Sequence, residues 1–150
     1  MKKSQRQSKT RVYLHLVWAT YERLPLLTPD IEREVYRCIE SEATRLRCKV
    51  LAIGGMSDHV HLAVKLPSTV EYSRLMNQIK GVSSHFVHDQ FAGHEGFKWQ
   101  AGYGAYSIDP DHLDVVISYI NNQKVHHTNN TLRSKWEEVD EEYIPNSEPT

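Results

Sequence analysis

Two histidines stand one residue apart in SDHVHLAVKL, residues 57–66. In an extended strand, side chains at i and i+2 share a face, and their Cα atoms lie roughly 6–7 Å apart. The imidazoles of His59 and His61 can therefore converge on one ion and leave coordination positions open to water and substrate. That openness suits a Lewis-acid metal better than a closed structural one. A second pair occurs in YINNQ, residues 119–123, where Tyr119 and Gln123 stack at i and i+4 on one side of a helix. A glutamine amide oxygen is a hard ligand suited to Mg2+ or Mn2+, and a tyrosine oxygen can form a covalent intermediate. Each feature also has a plainer reading. H-x-H arises by chance or for packing, a tyrosine flanking an apolar stripe is commonly a partly buried aromatic, and a helical glutamine is commonly solvated.

Whether the pairs meet depends on the elements that carry them. Residues 12–19, VYLHLVWA, alternate as a strand with one core face, Val12, Leu14, Leu16 and Trp18 on one side and Tyr13, His15 and Val17 on the other. Thr28 and Pro29 mark a helix start, and Ile31, Val35, Ile39, Ala43 and Leu46 give an amphipathic helix over 29–47. Residues 49–56 and 59–66 read as two strands joined so tightly, at Ser57-Asp58, that they must be antiparallel. Helical spacing resumes over 70–91, GYGAYSI is a short fourth strand, and a last helix spans 110–127 with Leu113, Val116, Ile117 and Ile120 inward. Tyr119 and Gln123 flank that inward stripe. A further short helix is expected near Ser134–Glu142.

The order β-α-β-β-α-β-α gives an α+β, ferredoxin-like (RRM-like) split βαβ fold: a four-stranded antiparallel sheet with helices on one face, plus an extra C-terminal helix. The first and third strands lie side by side at its centre, so His15 is expected near His59 and His61.

The 150 residues suffice for one domain, and 39% hydrophobic with 25% charged content fits a soluble globular chain. The net charge of −1 hides polar ends. Residues 1–11 form a basic arm with Lys2, Lys3, Arg6, Lys9 and Arg11 and no acid; residues 137–150 carry six acids and no base. The arm is either a phosphate-binding segment or a solvated, frayed terminus. Cys38 and Cys48 lack metal-ligand spacing and read as reduced thiols. No apolar region follows the basic start and no 18-residue apolar run exists, so neither secretion nor a membrane span is expected, and a cytoplasmic location is.

Five fragments together resemble the single-tyrosine HUH (His-hydrophobic-His) transposases of small insertion sequences and their REP-associated relatives. They are YLHLVWATYER, GGMSDHVHLAVKLP, QIKGVSSHF, FKWQAGYGAYSI and YINNQKVHH, in family order across residues 12–128. The resemblance sets a domain at 12–128 between the basic arm (1–11) and an acidic tail (129–150). It implies that His59, His61 and Gln123 hold a divalent metal, Mg2+ or Mn2+, that Tyr119 is the nucleophile, and that single-stranded DNA with hairpin ends is cut and rejoined through a 5′-phosphotyrosine. It also implies a homodimer in which Tyr119 of one chain serves the histidines of the other, the REP-associated relatives being monomeric instead. One departure is Ser57, where the family often has proline. The segment after His127 matches poorly.

Further candidates surround this set. Asp58 and His15 would support the ligand histidines; Asp58 also reads as a turn residue and His15 as a plain sheet-face histidine. Arg11, Arg23, Lys80, Ser83 and Lys98 are candidate DNA contacts, with Trp99 a stacking or core aromatic. His126 and His127 read as a solvated pair. No G-x-x-x-x-G-K-S/T loop is present, as suits a reaction that stores its bond energy in the covalent link. Two rivals remain. One is a non-catalytic RNA- or single-stranded-DNA-binding module, which needs exposed aromatics where His59 and His61 stand; the other is a metal-dependent nuclease that uses water.

Overall fold

Thr28, extended at φ −79°, ψ 160°, precedes a helix that begins with Pro29, and Asp30 and Glu32 fill its first turn. Acids there complement the helix dipole. This helix, α1 (Pro29–Arg45), buries Ile31, Val35, Ile39 and Ala43 at helical spacing and ends where Arg47 turns to φ 69°. The structure, a computed structural model, describes residues 8–129 and 134–137. The basic segment before Ser8 and the expected helical residues after Glu137 lie outside it.

Four strands follow the expected order: β1 (Val12–Ala19), β2 (Lys49–Met56), β3 (His59–Leu66) and β4 (Gly104–Ile108). They form one antiparallel sheet in the order β2-β3-β1-β4, with β1 and β3 central. Helix α2 (Tyr72–Gln90) joins α1 on one face. There Leu14, Leu16, Trp18, Val60, Leu62 and Val64 pack with Ile31, Val35, Ile39, Leu75 and Ile79. On the other face Ala52, Ala63 and Ile108 meet Val116 and Ile120 of α3 (Leu113–Asn121). The sheet is thus covered on both sides, and the added C-terminal helix takes the side that carries the histidines.

Two local features aim this second face. A bulge between Val50 and Ala52 shifts the β2–β3 register by one residue, which inverts the facing of everything after it. Ala52 and Gly54 therefore join Ala63 and His61 on the α3 side. Gly54 lies beneath the Ile120 carbonyl, so close that a Cβ there would clash with backbone; glycine lets the helix settle onto the strand.

The single helix expected over 110–127 is instead three pieces: a 3-10 turn (Pro110–His112), α3, and α4 (Gln123–Asn129). Asn122 interrupts it at φ −110°, ψ 29°, and its side-chain amide donates to the Ser118 carbonyl at 2.9 Å. Asparagine offers the backbone such local alternatives and so favours helix ends. A last turn, α5 (Ser134–Glu137), falls within the short helix expected there.

Candidate functional site

His59 and His61 project from β3 towards α3, and both are almost fully buried, at 1% and 0% exposure. What they meet is polar. His59 Nδ1 donates to Asp58 Oδ1 at 2.8 Å, and Arg23 stands 3.7 Å from the other Asp58 oxygen. His61 Nδ1 pairs with His15 Nε2 at 2.8 Å. Both Nε2 atoms are left facing one point, which Glu137 of α5 fills: its Oε1 lies 3.1 Å from His61 Nε2 and 3.3 Å from His59 Nε2.

Tyr119 and Gln123 reach the same carboxylate. The Tyr119 hydroxyl donates to Glu137 Oε2, and Gln123 Nε2 donates to that oxygen at 3.3 Å. Gln123 Oε1 accepts from His59 Nε2 at 3.2 Å and from His127 Nε2 at 3.0 Å. The Tyr119 ring is held on three sides. His126 stacks on it at 4.6 Å, Trp136 meets it edge-on at 4.9 Å, and His61 lies 5.9 Å away. The break at Asn122 leaves Gln123 at the start of α4, yet the two side chains still converge.

Electrostatics follow from this packing. Burial opposes a charged His59, but hydrogen bonds with Asp58 and Glu137 outweigh it and hold its pKa up at about 9. Burial, and the neighbouring His61, push His15 down to about 3. His61 is lowered chiefly by burial, against the pull of Glu137. Burial would raise Glu137, yet hydrogen bonds from His59 and His61 hold it well below the usual carboxylate range. His127 is lowered by burial and by His59 beside it. Near neutral pH the site is therefore a His59 imidazolium between two carboxylates, with His15 and His61 neutral.

The tautomers follow as well. His61 Nε2–H donates to Glu137, so its bare Nδ1 accepts from His15 Nε2–H. His15 Nδ1 then carries no proton, which fits its lack of a hydrogen-bond partner despite full burial. For His61 Nε2 to offer a lone pair both rings must change tautomer, so that His61 Nδ1–H donates to His15 Nε2 and His15 carries its proton on Nδ1.

The donor set suits a divalent cation. Imidazole nitrogens, an amide oxygen and a carboxylate converge, and the ligand atoms of His59, His127 and Glu137 all lie within 4.8 Å of one another. This trio overlaps the expected His59–His61–Gln123 set at His59 alone, so five side chains offer ligand atoms to one small volume.

Of the residues singled out from sequence, His59, His61, Tyr119, Gln123, Asp58 and His15 come together within one chain. The DNA-contact candidates are more scattered. Arg23 lies at the rim through Asp58. Arg11 precedes β1 at the opposite end of the sheet. Lys80 Nζ donates to the Gln100 and Gly102 carbonyls at 2.8 and 3.0 Å, anchoring the approach to β4. Lys98 sits over the Tyr21 ring at 4.4 Å. Ser83 is withdrawn from the surface: fully buried, it accepts from Trp99 Nε1 at 2.9 Å and donates to the Ile79 carbonyl. Trp99 is likewise a core residue.

Sequence reasoning missed Glu137, Trp136 and the inward role of His127. For His127 a signal existed, because Tyr119, Gln123 and His127 recur every four residues. Glu137 offered none beyond being one acid of a charged tail.

The family described as "Transposase IS200 like" matches residues 8–123. No curated protein sequence matches. Among solved structures, a candidate transposase from Deinococcus radiodurans R1 is 22% identical with a TM-score of 0.64, over 81% of this chain and 98% of its own. A REP-associated tyrosine transposase bound to a REP hairpin is 18% identical with a TM-score of 0.62, over 85% of this chain and 74% of its own. At these identities the two structures share the fold. Among the described residues, no helix is long and apolar enough to cross a membrane.

Proposed function

The chain belongs to the IS200-like transposase family, and on that premise we propose that it cuts and rejoins single-stranded DNA, with Tyr119 as nucleophile and a divalent metal held by His59, His61 and Gln123. One observation carries the reading: Tyr119, Gln123 and both histidines direct polar atoms at a single anion, the Glu137 carboxylate. A phosphodiester is likewise an anion with two free oxygens, and the point on which these side chains converge is where it would sit.

The support behind each ligand is the kind a metal site requires. Asp58 accepts a hydrogen bond from His59 Nδ1–H and fixes its ring, so that loss of the other proton bares Nε2. His15 does the same for His61 in the tautomer in which His61 Nδ1–H donates to a bare His15 Nε2. When bound, a divalent ion, Mg2+ or Mn2+, offsets the negative charge of the phosphate. Glu137 and His127 are further donors at the same place.

Tyr119 does the bond-making. A free phenol has a pKa of about 10 and is a poor nucleophile, so position matters more than basicity. His126, Trp136 and His61 hold the ring in one direction, which removes rotational freedom before attack. The phenolic oxygen bonds to phosphorus, the P–O3′ bond breaks, and the departing oxygen takes up a proton to become a 3′-hydroxyl. The phenol's own proton has an acceptor in Glu137 Oε2. The DNA stays on Tyr119 through its 5′-phosphate until another 3′-hydroxyl reverses the step at a new junction.

Hairpin-bearing DNA is the proposed substrate, since one structural neighbour is bound to a REP hairpin. The site is proposed to work within one chain, because Tyr119 lies against its own His61. A homodimer with shared sites would require α3 to leave its own sheet.

The test uses labelled single-stranded DNA carrying a hairpin, incubated with Mg2+ or Mn2+ and boiled in detergent. A covalent adduct is expected with the wild-type chain and none with Tyr119→Phe. Cleaved DNA without an adduct would replace the tyrosine reaction by hydrolysis. Neither adduct nor cleavage would leave a binding module.

A further inference from the structure

Helix α4 carries two of the groups gathered at the site, Gln123 and His127, yet little apolar packing holds it. Over residues 123–128 only Gln123 is buried, and Val125, the one aliphatic side chain there, is 53% exposed. Seven residues are too few to form a stable helix alone, and the break at Asn122 means that α3 does not dictate its direction. On the inner side Gln123 and His127 bond each other at 3.0 Å, and His126 stacks on Tyr119. The bond from His59 Nε2–H to Gln123 Oε1 is given up when both atoms serve as ligands. A contact outside the site must then hold α4 in place.

Lys124 is placed to do so. Its Nζ donates to Glu32 Oε2 of α1 at 2.6 Å and to the Gly55 carbonyl of β2 at 3.0 Å. The same Glu32 oxygen accepts from the Tyr36 hydroxyl at 2.9 Å, one turn further along α1. Burial and the Glu32 charge push the Tyr36 pKa up, so the phenol keeps the proton it donates. Lys124 and Glu32 stand on the wall of an open hollow of about 220 Å³ between α1, β2 and α4. Side-chain packing therefore does not make this joint; the ion pair spans it. Because Lys124 adjoins Gln123 in the chain, a shift of one carries the other.

We propose that the Lys124–Glu32 bridge is a positioning device for the metal: it holds α4 against α1 and β2 so that Gln123 presents its amide oxygen beside His59 and His61. The inference rests on the reading above that these three residues hold a divalent ion. Groups that hold metal ligands in place contribute about 10–100-fold to affinity, whereas an ion pair whose lysine is 60% exposed adds little to global stability. The sign of the effect separates positioning from charge alone. An ammonium repels a cation, so through-space charge makes Mn2+ bind more tightly after Lys124→Met and less tightly after Glu32→Gln. Positioning makes both variants bind more weakly.

The experiment titrates the full chain with Mn2+ at one pH, without DNA, and follows the free ion by electron paramagnetic resonance. Lys124→Met and Glu32→Gln are each expected to weaken Mn2+ binding about tenfold. The double variant is expected to bind no more weakly than either alone, since both changes break one bridge. Melting temperatures should move by no more than about 4 °C. In single-turnover adduct formation, the Mn2+ needed for half the maximal rate should rise by the same factor, and saturating Mn2+ should restore the rate. Unchanged or tighter Mn2+ binding by Lys124→Met would overturn the proposal, as would losses that multiply in the double variant. Should Lys124→Met fail to fold, Lys124→Gln, which can still donate to the Gly55 carbonyl, takes its place with the same expectation. If the wild-type chain binds no Mn2+, or His59→Ala/His61→Ala binds it equally well, the metal reading fails and this inference with it. If binding depends on the histidines but not on Lys124, the bridge alone fails.

Discussion

Gly54 gives the sharpest test of how the phenol is positioned. Its replacement by alanine would put a Cβ well inside 3.0 Å of the Ile120 carbonyl oxygen and within 3.4 Å of the carbonyl carbon. The obstacle is helix backbone, not the free end of a side chain, so it cannot swing aside. Ordinary contact begins at 3.4 Å, and in a close-packed interface α3 must therefore withdraw by about 1 Å. Overpacking of this kind costs about 1–3 kcal/mol, or roughly 3–10 °C of melting temperature for a chain of this length. Tyr119 is the residue next to Ile120, so the phenol moves with the carbonyl. A misplacement of about 1 Å costs on the order of a hundredfold in rate. Thermal melting followed by circular dichroism reads the first effect. The single-turnover rate of covalent adduct formation, taken well below the melting temperature, reads the second. Gly54→Ala with wild-type melting and a wild-type adduct rate would refute the claim that α3 rests on β2 at this point and aims the tyrosine from there.

Gly81 supplies the opposite case: it lies exposed in α2 with nothing near its would-be Cβ, so Gly81→Ala should stabilise by about 0.5–1 kcal/mol in chemical denaturation and leave adduct formation alone. Ser83→Ala strips the buried Trp99 indole of its acceptor and should cost about 1–3 kcal/mol with no change in DNA affinity; a loss of affinity at unchanged stability would restore Ser83 as a DNA contact. Mixing Tyr119→Phe chains with His59→Ala/His61→Ala chains should yield no adduct if, as proposed, each site is complete within one chain; recovered adduct would establish sharing between subunits. Glu137→Ala should slow single-turnover adduct formation, since it removes the acceptor of the Tyr119 proton; a faster reaction would mean that the carboxylate only competes with phosphate for its donors.

These tests separate what the sequence made legible from what only packing revealed. His59 and His61 could be read because a strand has a two-residue period, and the alternation of Val60, Leu62 and Val64 fixed which face they took. His15 followed from strand order alone. The bulge after Val50 could not be read in the same way, for Leu51 is as apolar as its neighbours and no pattern marks the residue that drops out of pairing. Yet without that shift Gly54 would point to the other core, and a larger strand residue would lie under Ile120. The break at Asn122 hid for a similar reason: an asparagine on the polar side of a helix leaves the hydrophobic period intact.

Glu137 lay furthest from view. It is separated from Tyr119 by 18 positions, it belongs to a charged stretch with no periodicity, and its histidine partners stand on β3 in the other half of the chain. An acidic tail reads as solvated because isolated carboxylates are costly to bury. Here that cost is offset by a imidazolium at His59 and by donors from His61, Tyr119 and Gln123. Three of the groups that make the carboxylate tolerable, His59, His61 and Gln123, are those proposed to hold the metal, and the fourth, Tyr119, is the proposed nucleophile. A pocket that already gathers these groups around one buried anion has met much of the demand of holding another, and what remains is for His59 and His61 to clear the protons from Nε2 so that a metal can share the rings.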